Sequence, residues 1–114
     1  MIHEMRLRAE PFYKIKNGTK KVESRLFDEK HQQINIGDVI SFILKNDDDS
    51  LGEKIDVNVV GLLVYPSFET MMNDIPPQWF GWDESIQAIE EINTFYSVEE
   101  QNKYNVVGIR IEKI

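Results

Sequence analysis

The densest run of reactive side chains in this sequence is Gly18-Thr19-Lys20-Lys21-Val22-Glu23-Ser24-Arg25, which sets two ammonium groups, a carboxylate and a guanidinium within eight residues. From Lys21 to Leu26 polarity alternates as in a strand. Alternation puts Lys21, Glu23 and Arg25 on one face and Lys20, Val22, Ser24 and Leu26 on the other. Val22 and Leu26 read as core, so Glu23 and Arg25 lie opposite it, close enough to pair. Lys20 sits where a turn meets the strand, and a bulge there can swing it to join Glu23. Lys20 and Arg25 can then meet phosphate or carbonyl oxygens while Glu23 accepts from an exocyclic amine. The same groups can also act as acid and base. A lysine desolvated among other cations gives up its proton more readily. Lys21 and Arg25 push Lys20 that way and Glu23 opposes them. The plain alternative is a solvated edge strand whose charges deter aggregation, since charge runs usually mark solvated faces.

The flanking elements must aim this run. His3 to Arg8 alternates, with Met5 and Leu7 inward and Arg6 and Arg8 outward. Glu10-Pro11 opens a helix, because proline suits the first turn and an acid favours the positive end of the dipole. Phe12 and Ile15 form its apolar stripe, and Asn17-Gly18 ends it, glycine tolerating the left-handed cap. Helix, tight turn and charged strand form one unit that directs Lys20 over the helix. Phe27 to Gln33 is polar, a turn or a single helical turn. Val39 to Leu44 is almost continuously apolar, a strand covered on both faces. Asn46 to Ser50 is a hairpin tip without EF-hand spacing. Lys54 to Tyr65 is a long strand with a bend at Gly61, as a small barrel needs at its corners. Ser67 caps a short helix, Phe68 to Asn73. Ser85 to Thr94 is a further helix, with Ile86, Ile89 and Ile92 on one face. Ser97 with Glu100 forms a capping box for another helix, and Val106 to Ile111 closes the sheet.

A second unusual stretch is Pro76-Pro77-Gln78-Trp79-Phe80-Gly81-Trp82. Trp79, Phe80 or Trp82 could close over a base, stacking being worth about 1–3 kcal/mol per base. The simpler expectation is that at least two of the three plug one end of the sheet, since small domains bury large aromatics to gain core area.

Bulk composition narrows the classes. The 114 residues suit one domain with a modest core. No cysteine is present, which excludes disulfides, thiolate metal sites and thiol nucleophiles. His3 and His31 lack ligand spacing, so no metal or other cofactor is expected. There is no apolar run of membrane-spanning length and no signal-like N-terminus, so no membrane partner is expected and the cytoplasm is the default compartment. Net charge is −7, yet residues 1–31 carry +3 and residues 32–114 carry −10. A local basic pocket on an acidic body suits a small anionic or nucleotide-like ligand, or a short single strand, better than a long duplex.

The spacing Gly18-x-Lys20-x-x-Glu23-x-Arg25 resembles the G-x-K-x-x-E-x-R signature of the ASCH family, and the preceding helix, the Gly37-Asp38 turn and the final Val106–Ile111 strand fit around it. The resemblance spans the chain and implies a single domain, 1–114, of α+β class: a PUA-like small mixed or antiparallel β-barrel with flanking helices. It implies RNA or a modified nucleoside or nucleotide as partner, with Gly18, Lys20, Lys21, Glu23 and Arg25 at the ligand site. Arg6, Trp79 and Trp82 are further candidates. One branch of small bacterial members removes the acetyl group from N4-acetylcytidine, using a threonine nucleophile beside the motif lysine. In this chain Lys20 matches that lysine, but Glu23 replaces the threonine, and a carboxylate cannot form the same ester intermediate. An amidohydrolase would therefore use Lys20 as base and Glu23 to position water, with a third acid from Asp74, Asp83 or Glu84.

Overall fold

A computed structural model describes residues 1–114. Five strands and four helices follow in the order β1 (Ile2–Leu7), α1 (Ala9–Lys16), β2 (Val22–Leu26), β3 (Val39–Lys45), β4 (Leu51–Tyr65), α2 (Phe68–Asp74), α3 (Ser85–Phe95), α4 (Val98–Tyr104) and β5 (Val106–Lys113). Two 3-10 turns, His31–Gln33 and Pro77–Phe80, complete the chain. The strands form one mixed sheet ordered β1-β3-β4-β5-β2, with β1 parallel to β3 and the other pairs antiparallel. The sheet curls into a half-barrel with β1 and β2 at its edges, an α+β fold of PUA-like type.

The curl is written into β4. Fifteen residues at about 3.3 Å each would run well beyond 40 Å if straight, but the molecule's longest dimension is 32 Å. The strand bends where its register against β5 slips between Val59 and Gly61. This is the bend expected at Gly61. Its first half pairs with β3 and its second with β5, so one strand serves both sides of the half-barrel.

Two cores result. Met5, Leu7, Phe12, Ile15, Ile40, Phe42, Val57 and Ile109 belong to the larger, under α1. Val22, Leu26, Phe68, Met71, Met72, Phe80 and Val106 belong to the second, under α2 and α3. Local signals set the helices where they were anticipated. Ser67 Oγ accepts from the Thr70 amide at 3.1 Å, and Ser97 with Glu100 completes a capping box. The helix α3 departs from expectation: Ala88 is its buried residue, Ile89 and Ile92 are half-buried, and Ile86 faces solvent at 67% exposure. No helix is long and apolar enough to cross a membrane.

Candidate functional site

Between the two cores opens a cavity of about 440 Å³. Its floor is β2, one wall is the end of β1 with the start of α1, and the other is Phe80 to Trp82 with the C-terminal half of α3. Leu7 from the larger core and Met72 and Phe80 from the second meet there, so the cavity lies along the seam of the fold.

The turn into β2 explains the floor. Gly18 adopts φ +84°, the left-handed conformation that glycine takes without strain. The chain then returns under α1, with the Lys20 amide donating to the Lys14 carbonyl at 2.9 Å and the Lys21 amide to the Trp79 carbonyl at 2.7 Å. That path turns Lys20 inward, off the face that strict alternation assigns it. Its Nζ lies 3.1 Å from Glu23 Oε1, which also accepts from the Ser24 amide at 3.0 Å. Arg25 Nη2 stands 3.5 Å from Glu23 Oε2. Glu23 is only 4% exposed, and its Oε2 has no hydrogen-bond partner. Burial alone would push this carboxyl up. The Lys20 ammonium and then the Arg25 guanidinium outweigh it and hold the group below the usual carboxylate range. Glu23 is therefore an ionised acceptor whose Oε2 is buried, meets Arg25 only at ion-pair distance and makes no hydrogen bond.

The walls carry a mixed chemistry. Lys14 donates to the Gly81 carbonyl at 2.7 Å and to Glu10 at 3.0 Å, and its ammonium lies 5.9 Å from the Trp82 ring centroid. Arg8 spans the mouth to α3, 3.6 Å from Glu91 and over the Phe95 ring at 5.3 Å. Burial, only partly opposed by Arg25, pushes the Tyr96 phenol up, so it faces the cavity as a neutral group. Behind Arg25, His31 is buried with Nδ1 2.6 Å from Asp28, and desolvation lowers its pKa more than Asp28 raises it.

Of the residues singled out from sequence, Lys20, Glu23, Arg25, Arg6 and Trp82 line this cavity. Gly18, Lys21 and Trp79 do not. Gly18 shapes the turn, Lys21 is exposed, and the Trp79 ring meets the Arg110 guanidinium at 5.1 Å while its carbonyl accepts from the Lys21 amide. Ser24 lines the cavity despite alternation, since β2 is an edge strand and the cavity wraps its free side. Asp74, Asp83 and Glu84 are exposed and lie outside the cavity, so none supplies a third acid. Its further carboxylates are Glu10 and Glu91. Arg8 and Lys14 belong to the positive charge that the sequence gathers around the motif, whereas Glu91, Phe95 and Tyr96 were not anticipated as site residues. The one sequence signal for these three is the pair of aromatics that ends their helix. No group of three or more histidine, aspartate or glutamate side chains converges to hold a metal.

A PUA-like half-barrel with an ionic floor and an aromatic wall defines the class of protein. The ASCH domain family model matches residues 5–114, and the chain belongs to that family. It is similar to two solved structures along its full length. The crystal structure of hypothetical protein PH0355 shares 35% identity at a TM-score of 0.83, with all of both chains covered. The solution structure of protein PF0455 from Pyrococcus furiosus shares 36% identity at a TM-score of 0.72, covering all of this chain and 98% of that one. A search of curated proteins finds no match.

Proposed function

We propose that the chain is a binding module for a nucleoside unit, free or within single-stranded RNA, held in the cavity between β2 and α3. The observation that carries this reading is the buried Glu23 carboxylate, set between two cations with one oxygen that makes no hydrogen bond. A buried acceptor left unpaired is costly, and an N–H donor on a base edge removes that cost. Lys20 and Arg25 keep N–H groups free for carbonyl oxygens on the same edge. Trp82 adds an aromatic ring to the cavity lining, and the cavity's volume lies in the roughly 300–1,000 Å³ range of small-molecule sites. The chain's acidic balance fits a compact ligand better than a long duplex.

Hydrolysis of an acylated nucleoside is the competing reading. Against it, a carboxylate held below its usual range is a weak base, Glu23 stands where the related amidohydrolases use threonine, and no third acid comes from residues 74–84. Calorimetric titration at low salt with the four ribonucleosides, N4-acetylcytidine and short RNAs tests the two readings together. Binding that is lost in Lys20→Ala, with no acetate released, is the expected result. Release of acetate from N4-acetylcytidine by wild type but not Lys20→Ala would make the protein an enzyme. No binding of any of these ligands would remove the site.

A further inference from the structure

The cavity's charges are not evenly matched. Five cations line it against three carboxylates, a formal charge of +2. Lys20 and Arg25 share Glu23, Lys14 holds Glu10 and the Gly81 carbonyl, and Arg8 reaches Glu91 and Phe95. The remaining cation is Arg6. Its guanidinium has no ion pair, hydrogen bond or aromatic partner, although it lines the same cavity. Its place follows from β1: Met5 and Leu7 go into the core, so Arg6 stands at the exposed rim.

We propose that the ligand carries a phosphate and that Arg6 grips it. This rests on the nucleoside reading above and adds the charged group to it. A planar guanidinium presents paired N–H donors that match two phosphate oxygens. At the rim the phosphate keeps part of its hydration, so its charge is not forced into the apolar seam. The base goes inward to Glu23. The phosphate balances the unmatched charge, and Lys20 and Arg25 are left for the base's carbonyls. A terminal phosphate and an internal phosphodiester share this chemistry.

Calorimetric titration of the full chain at low salt separates the possibilities, using the four ribonucleosides, their 5′- and 3′-monophosphates and dinucleoside monophosphates. Wild type is compared with Arg6→Ala, Arg6→Lys and Lys30→Ala, the last removing an exposed cation that does not line the cavity. The phosphorylated form is expected to bind about 10-fold more tightly than the nucleoside, the worth of one partly exposed charge-assisted contact. Arg6→Ala erases that ratio, Arg6→Lys keeps part of it, and Lys30→Ala keeps all of it. Added salt erodes the gain without touching nucleoside affinity. A gain seen with dinucleotides alone, and lost in Arg6→Ala, assigns the phosphate to a strand. Nucleoside and nucleotide binding equally in wild type, or a preference that survives Arg6→Ala, overturns the phosphate assignment while nucleoside binding stands. Failure of every ligand to bind overturns both.

Discussion

Replacing Glu23 by glutamine isolates the charge at the cavity floor. Glu23→Gln preserves shape and an oxygen able to accept from Lys20 Nζ and the Ser24 amide, contacts of 3.1 and 3.0 Å in the wild type. It removes the negative charge that Lys20 and Arg25 share, and their side chains stay 10% and 21% exposed. Stripping one partner from a fully buried pair costs about 3–5 kcal/mol. Here the cavity lets water reach both cations, so the expected loss at pH 7 is about 1–3 kcal/mol. Urea unfolding reads this as a lower midpoint at unchanged slope. The pH dependence has a definite sign. The folded carboxyl titrates below its ordinary value of 4.5, so on acidification the unfolded chain takes up this proton first. The stabilisation from Glu23 is thus complete above about pH 4.5 and is lost as pH falls through the lower folded value. The gap between wild type and Glu23→Gln must narrow across that window. Equal midpoints at pH 7, or a gap that persists undiminished into acid, refute the reasoning.

Three further changes test the walls and the core. Trp82→Ala removes the ring beside Lys14 and is expected to weaken nucleoside binding by about 1–3 kcal/mol, whereas Trp79→Ala, which uncovers Arg110, leaves affinity unchanged in the same calorimetric titration. Gly108→Ala places a Cβ 3.0 Å from Met71 Sδ and 3.2 Å from Val22 Cγ1 in the second core. Overpacking there is expected to cost about 1–3 kcal/mol in thermal or urea unfolding.

Much of the scaffold was legible because its signals are local. Met5 and Leu7 alternate with arginines, Gly18 follows an amphipathic helix, Gly61 interrupts an apolar strand, and Ser67 and Ser97 sit where helices need caps. The ionic floor was legible for the same reason: Lys20, Glu23 and Arg25 lie within one turn and one strand. The rest of the cavity depends on contacts far apart in sequence. Nothing near Arg8 reveals that it will reach Glu91 and Phe95, and nothing near Lys14 reveals the Gly81 carbonyl. Helix periodicity assigned Ile86 to the buried face of α3, but α3 buries a narrow seam centred on Ala88 and gives Glu91, Ile92 and Phe95 to the cavity. Asp74, Asp83 and Glu84 are the acids from which the amidohydrolase reading draws its third carboxylate. The 3-10 turn at Pro77–Phe80 brings in Phe80 to Trp82 and leaves those acids outside.

The backbone of Lys21 is held from both sides, its amide by the Trp79 carbonyl and its carbonyl by the Ile111 amide at 3.0 Å. That single residue therefore fastens the proline-rich turn to the last strand of the sheet. Because Lys20 precedes this clasp and Trp82 follows Trp79 by three residues, the charged groups below and the Trp82 indole above form one stiff frame. An incoming molecule finds its contacts already spaced, and the ordering cost of association falls on the guest rather than on the host.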